Sequence, residues 1–129
     1  MKKFALAVAA LALSAGAALA DPVVGTWKTQ AGDDGNYGHV KISKCGSQIC
    51  GVLGQGYDSA GAAIDSPNNG KRMIWDMNID GGGAYSGGKI WAPDRDKTYK
   101  SKMALSGNTL EVSGCVLAFC RSQKWTRLK

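Results

Sequence analysis

Residues 97–113, with the sequence KTYKSKMALSGNTLEVS, carry the pattern that decides the fold of this chain. Tyr99 and Met103 alternate with Lys100 and Lys102, and a period of two is typical of a strand with one buried and one solvated face. The Ser-Gly-Asn that follows tolerates the backbone angles of a tight turn, and a second alternating segment then begins. The stretch therefore predicts an antiparallel hairpin.

The same punctuation recurs along the chain, where short segments rich in Val, Ile, Thr, Tyr and Trp are separated by turns rich in Gly, Asn and Asp. We predict eight strands, at residues 23–30, 37–44, 48–54, 71–77, 84–91, 97–105, 109–113 and 120–128. Short links favour antiparallel neighbours, and closing the sheet into a barrel hides both of its edges. The predicted fold class is therefore all-β, a small eight-stranded up-and-down barrel. A two-sheet sandwich is the alternative.

The first 20 residues have the three parts of a cleavable secretory signal, a helix ahead of the barrel. Two lysines precede an apolar run that ends in Ala18-Leu-Ala20, the pattern of a cleavage site. A membrane span needs roughly 20 strongly apolar residues, whereas this run is shorter and interrupted. We therefore expect cleavage after Ala20, a single mature domain at 21–129, no membrane span after cleavage, and a periplasmic location. Removing the two lysines lowers the formal net charge from +6 to +4.

Four cysteines remain after the signal, grouped as Cys45 with Cys50 and Cys115 with Cys120. In an exported chain this grouping favours two short-range disulfides, although four cysteines allow three pairings. A zinc site would need Cys-x-x-Cys knuckles or nearby histidines. The spacing here is Cys-x4-Cys, and His39 is the only histidine. We therefore predict two disulfides, no metal and no cofactor.

Gly25-Thr-Trp27 near the mature start and Trp125-Thr-Arg127 near the end resemble, in their placement, motifs of the lipocalins and their calycin relatives. In those families a G-x-W on the first strand packs beneath an arginine from the last strand and closes the barrel floor. The resemblance implies that Gly25, Trp27 and Arg127 are structural, with the guanidinium covering the indole face.

A fuller resemblance, over essentially the whole mature chain, is to the bacterial family known as domain of unknown function 2147. It rests on motifs kept in order and spacing: Asp21-Pro-Val-Val-Gly-Thr-Trp-Lys28, Gly38-His-Val-Lys-Ile42, Cys50-Gly51, Asn69-Gly70, Trp75-Asp-Met77, Tyr85-Ser-Gly-Gly-Lys-Ile90 and Trp125-Thr-Arg127. The chain departs from many relatives at Ala92-Pro-Asp94, a change that should leave the hairpin there intact. The resemblance implies a secreted lipocalin-like barrel and supplies no reaction.

Aromatic residues indicate where a ligand site would lie. Several of them sit in or beside the links at the end of the barrel opposite the predicted floor, so we expect them to rim a cavity mouth. Asp76 interrupts an apolar strand at residues 73–77, and on strict alternation it faces opposite Trp75, so one of the two points inward. The candidate ligand-binding residues are Tyr57, Trp75, Asp76, Trp91, Tyr99 and Phe119. The alternative is that these rings simply fill a narrow barrel.

These observations predict a periplasmic lipocalin-like protein that binds a small hydrophobic or amphipathic molecule without transforming it. A protein-protein role, such as inhibition of secreted proteases or lysozymes, stays open and would use the loops at 55–70 and 114–119. An envelope enzyme using Asp76 with Tyr99 or Lys89 stays open as well, although no catalytic residue is predicted outright. Basic and acidic residues are interleaved rather than clustered, which argues against a nucleic-acid partner.

Overall fold

The computed structural model describes residues 20–129, and all the regular elements in that range are β-strands. Their bounds are β1 Gly25–Lys28, β2 Tyr37–Cys45, β3 Gln48–Tyr57, β4 Ala63–Ile64, β5 Arg72–Gly81, β6 Ala84–Ala92, β7 Lys97–Ser106, β8 Thr109–Val116 and β9 Phe119–Arg127. Within this range no helix has the length and apolar character needed to cross a membrane. The predicted signal segment lies outside the described residues except for Ala20.

Eight of the strands form a closed antiparallel barrel in which each strand pairs with its neighbours along the chain. The ring closes because β9 pairs with β1, and β2 pairs with both β1 and β3. The short β4 only adds two residues beside the end of β3. Closure confirms the predicted barrel and rules out the sandwich, because no sheet edge of the ring is left unpaired.

The inward-facing residues of the strands form one apolar core. Its largest fully buried side chains include Trp27, Trp125, Ile42, Ile49 and Ile74. Burying an aliphatic or aromatic side chain of this size contributes about 1.5–3 kcal/mol, so this core supplies most of the favourable free energy of folding.

Strict alternation fails in β5, and the failure corrects one prediction about the site. Asp76 has a positive φ of 56°, a conformation that inserts an extra residue into the strand. Ile74 and Met77 are both fully buried, and Asp76 between them is exposed. Trp75 pairs with the exposed Lys89 on the outer face of β6. The expectation that Trp75 or Asp76 points inward is therefore wrong, because the bulge turns both outward.

The links at the mouth end are shorter than predicted. β3 continues to Tyr57, so the link expected at 55–70 begins three residues later and contains β4. β8 continues to Val116, which reduces the link expected at 114–119 to two residues. The ladder extends there because Cys115 and Cys120 are paired in register across the hairpin.

Candidate ligand cavity

One end of the barrel is closed by an arginine lying on a tryptophan. The guanidinium carbon of Arg127 is 4.5 Å from the ring centroid of Trp27. Arg127 also donates hydrogen bonds to the carbonyl oxygens of Val24, at 3.2 Å, and Pro22. The indole Nε1 of Trp27 donates to the carbonyl oxygen of Val23 at 2.9 Å. These contacts tie the first and last strands together, and we call this group the floor.

Gly25 and Tyr85 lie beside the floor, and the space around Gly25 explains why a glycine stands there. Gly25 has a φ of 149°, and a Cβ there would lie 2.8 Å from Nη1 of Arg127 and would collide with the carbonyl oxygen of Lys129. Only glycine leaves room for the guanidinium. Nearby, the hydroxyl of Tyr85 donates a hydrogen bond to the carboxylate of Asp21. Burial and this carboxylate raise the pKa of Tyr85 well above its ordinary value.

The opposite end of the barrel opens into a cavity with two connected lobes. Lobe one has a volume of about 470 Å³ and lobe two about 440 Å³. Met73, Asp94 and Gln123 line both, so the lobes are parts of one opening. Volumes of this order fall within the range of about 300–1,000 Å³ that is usual for small-molecule sites.

Lobe one has a mainly apolar wall with a cation in it. Its apolar lining is Ile90, Trp91, Tyr99, Val112, Val116 and Phe119. Arg121 and Gln123 add polar atoms from β9, where alternation places them on the same face as the buried Trp125. A lining of this kind suits a molecule with an apolar body and one polar group.

Lobe two also has a mainly apolar lining, and much of its wall comes from the two long links. Asn69 accepts a hydrogen bond from the amide of Gly56 at 3.1 Å and donates one to the carbonyl of Ile64 at 3.0 Å. Asp34 accepts one from the amide of Asn36 at 2.9 Å. These bonds hold the links that carry the lining in place.

Charges around the opening are unequally paired. Nε of Arg95 lies 4.0 Å from Oδ2 of Asp94, which makes the two an exposed ion pair. Among residues 20–129, Arg121 has no carboxylate oxygen within 4.0 Å. Asp33 lines the boundary between the lobes. Arg121 is therefore an exposed arginine without a carboxylate partner in the described range, in a lobe whose charged lining residues are Asp33, Asp94, Arg95 and Arg121.

A row of small and polar residues crosses the barrel wall at the level of that cation. The register aligns Gly88 on β6 with Ser101 on β7, Ser101 with Gly114 on β8, and Gly114 with Arg121 on β9. Ser101 is only 4% exposed, and its hydroxyl has no hydrogen-bond partner among the described residues. An unpaired buried hydroxyl costs about 1–3 kcal/mol, and such groups are uncommon in interiors. Ser101 and Arg121 thus place polar groups in one row across a barrel wall that is otherwise mainly apolar.

Both predicted disulfides are present in the structure, joining Cys45 to Cys50 and Cys115 to Cys120. The second one lies directly below an apolar hairpin tip at the edge of lobe one. Leu117 is 92% exposed, and Phe119 is 80% exposed. The disulfide thus holds two large apolar side chains in solvent beside the cavity mouth.

The profile of the DUF2147 family, described as uncharacterized protein conserved in bacteria, matches residues 25–127. The chain belongs to the DUF2147 family. The solved structure of HP1028 from Helicobacter pylori, described as belonging to the lipocalin family, is similar in fold, with a TM-score of 0.66 and 19% sequence identity. The match covers 83% of each chain. No curated protein matches the DUF2147 chain in sequence.

The structure of this DUF2147 protein places half of the predicted site residues at the cavity. Trp91, Tyr99 and Phe119 line lobe one. Trp91 lies at the rim, where its Nε1 donates a hydrogen bond to the carboxylate of Asp96 at 2.9 Å. Tyr99 faces inward on β7, two residues before the buried Ser101.

The other three predicted residues lie away from both lobes. Tyr57 stacks on Tyr37 with ring centroids 5.3 Å apart and lies 4.4 Å from the ring of His39. β3 extends to Tyr57, and a register shift against β2 between His39 and Val40 moves the residues beyond it to the opposite face. Trp75 lies beneath the guanidinium carbon of Arg72, which is 4.2 Å from the centroid of its ring.

The ring of His39, beside Tyr57, is partly buried. Burial and the charge of Lys28 lower the pKa of His39.

The residues of the proposed enzyme site are not brought together. Asp76 is exposed on the outer face, whereas Tyr99 lines the cavity. Lys89 is exposed on the outer face as well, opposite Trp75. The barrel wall therefore separates the carboxylate from the tyrosine hydroxyl, and the family comparison adds no reaction.

Sequence reasoning missed Arg121 and Gln123 as lining residues. A signal for them exists in the sequence: they precede the buried Trp125 by four and two residues, so alternation puts all three on one face of β9. Both side chains are also exposed, as most charged and amide side chains are, so their residue types alone do not mark a cavity lining.

Proposed function

We propose that this DUF2147 protein binds a small amphipathic molecule in the mouth cavity. The observation that carries the proposal is the division of the interior: the floor is packed and closed, and the other end holds a two-lobed opening with an aromatic and aliphatic wall. The lipocalin-like fold supports ligand binding in general, as an analogy rather than as evidence of any particular ligand.

The chemistry of the lining supports an amphipathic ligand over a purely apolar one. Trp91, Tyr99 and Phe119 offer apolar surface, and Arg121 and Gln123 offer hydrogen-bond donors in the same lobe. A purely apolar ligand would cover these polar groups without pairing them, which costs free energy.

The disulfides and the N-terminal signal pattern support a place of action in the bacterial periplasm. Both pairs join residues only five positions apart, and such bonds persist in oxidising compartments. Recovery of a chain beginning at Asp21 from the periplasmic fraction would test this part of the proposal, and a cytoplasmic chain with its first 20 residues intact would contradict it.

Fluorescence titration of the purified protein with N-phenyl-1-naphthylamine, a neutral apolar probe, tests the binding function. We expect saturable binding to one site, displaced by decanoic acid derivatives. Val116→Trp, in the wall of lobe one, should weaken binding at least several-fold by filling the cavity. Val52→Trp is the matched control, because Val52 is exposed on β3 and lines neither lobe. The function is refuted if the wild type binds neither N-phenyl-1-naphthylamine nor, by calorimetry, any of the amphiphiles decanoate, decanol and decylamine.

A second function is supported by the apolar hairpin tip, which would contact a protein partner such as a secreted protease or lysozyme. Leu117 is almost fully exposed, and large apolar side chains in solvent often mark interaction surfaces. Inhibition assays with purified proteases and lysozyme would test this role. We expect Leu117→Asp to abolish any inhibition and leave probe binding intact, and failure of the wild type to inhibit them would exclude such enzymes as its partners.

A further inference from the structure

Arg121, which has no carboxylate partner among residues 20–129, points to the chemical class of the ligand. We propose that the ligand is an amphipathic anion whose carboxylate or similar acidic head pairs with Arg121 while its apolar body lies against the aromatic wall of lobe one. This inference rests on the proposed binding function and goes beyond it, because the cavity alone would equally suit a neutral or a cationic amphiphile.

The argument begins with the two arginines that line lobe one. Arg95 is at the rim and already faces the carboxylate of Asp94 at 4.0 Å. Arg121 lies on β9 beside Gly114, whose lack of a side chain leaves the guanidinium without a neighbour on that strand in its row. A guanidinium presents donors in a planar fork that matches a carboxylate. Arg121 is therefore the arginine of this lobe that has no carboxylate partner among residues 20–129.

The apolar body has a defined place relative to that head. Phe119 precedes Arg121 by two residues on the same face of β9, and Tyr99 packs over Gly114, with its Cβ 3.5 Å from the position that a Cβ of Gly114 would occupy. Two aromatic rings thus lie on the mouth side of the cation. An alkyl or aromatic body bonded to the head would contact these rings as it extends toward the opening.

The opposing charges in the opening make the proposal specific. Asp33 and Asp94 line both lobes and Asp34 lines lobe two, which has no lysine or arginine in its lining, whereas lobe one contains two arginines. A cationic head would therefore be drawn to lobe two, and an anionic head to lobe one. If the ligand head is anionic, an anionic probe should bind more tightly than a cationic one and substitution of Arg121 should weaken its binding. If the head is cationic, the order of the two affinities should be reversed.

The experiment compares three probes with one chain length and different heads: decanoate, decanol and protonated decylamine at pH 7. Each competes with N-phenyl-1-naphthylamine, whose own dissociation constant is measured for every variant before the competition. For the wild type we expect decanoate to bind about tenfold more tightly than decanol, as a charge-assisted hydrogen bond in a partly open site allows, and decylamine most weakly.

Three variants assign the preference to the residue. Arg121→Gln should remove the preference for decanoate over decanol, and Arg121→Lys should retain part of it because the charge stays and the fork is lost. Asp33→Asn should strengthen decanoate binding, since it removes a repelling carboxylate. Lys124→Gln is the control, because it removes a cation from the outer face of the same strand. Lys124→Gln should leave the dissociation constants of the three probes unchanged.

The outcomes separate this inference from the function on which it rests. Equal binding of the three probes, or a preference for decylamine that survives Arg121→Gln, overturns the anionic head while leaving a ligand-binding barrel. A preference for decanoate that Arg121→Gln does not alter overturns the assignment to Arg121. If neither the fluorophore nor any decyl probe binds the wild type, the proposed function itself fails, and this inference fails with it.

Discussion

Arg127→Met should destabilise the protein by about 2–3 kcal/mol. The guanidinium lies over the ring of Trp27 at 4.5 Å, a contact worth about 0.5–2 kcal/mol in other proteins. It also donates to the carbonyl oxygen of Val24 at 3.2 Å, and a hydrogen bond from a charged donor contributes about 1.5–3 kcal/mol when buried. Arg127 is only half-buried, so the combined loss lies below the sum of these values. Methionine retains apolar contact with the indole.

The measurement is urea unfolding followed by far-ultraviolet circular dichroism, because a change beside Trp27 would alter fluorescence directly. Arg127→Lys should lose most of the same free energy, since it keeps the charge and loses the planar fork. Arg121→Met is the matched control on the same strand, where no intramolecular ion pair is lost, and should cost less than about 0.5 kcal/mol. If Arg127→Met and Arg121→Met destabilise the protein equally, the explanation of the floor is wrong.

Three other predictions concern stability. Tyr85→Phe should lower the free energy of unfolding by about 1–2 kcal/mol, because the carboxylate of Asp21 loses a donor, and an unchanged urea midpoint would contradict this. The double change Cys115→Ser with Cys120→Ser should lower it by about 2 kcal/mol through the entropy of the unfolded loop, and reduction of this variant should cost less than reduction of the wild type. His39 has a folded pKa below the unfolded value of 6.5, so the stability that it contributes is lost as pH falls through 6.5. His39→Gln should flatten the change in urea midpoint between pH 7.5 and 5.5, and an equal slope in both proteins would exclude this histidine.

The barrel could be predicted because its determinants are local. A period of two along β7 and a turn-forming triplet after it define a hairpin, and repetition of that unit around the chain leaves closure as the simplest way to hide the edges. Placement of the mouth followed from the same topology, since alternate links lie at the same end. Three of the six candidate residues, Trp91, Tyr99 and Phe119, reached the cavity by this reasoning.

The failures have physical causes that a single sequence does not reveal. Asp76 is in a left-handed conformation that aspartate takes more often than most side chains but still uncommonly, so the residue type alone does not locate the bulge that turns it outward. Tyr57 stacks on Tyr37 because β3 runs three residues beyond its predicted end and its register against β2 shifts between His39 and Val40. Strand ends and bulges are set by pairing partners as much as by propensity. Both errors concern tertiary context rather than pattern.

The two arginines of β9 separate the two tasks of the barrel. Arg127 and Arg121 are six residues apart, so alternation gives them the same face, yet Arg127 contacts an indole and backbone carbonyls whereas Arg121 has no carboxylate within 4.0 Å in the described range. Substituting Arg127 should therefore change stability with little effect on the dissociation constant of decanoate, and substituting Arg121 should do the reverse. If substitution at either position changed both the free energy of unfolding and the dissociation constant of decanoate, the floor and the cavity would be energetically coupled. The separation of a stabilising floor from a binding mouth would then be wrong.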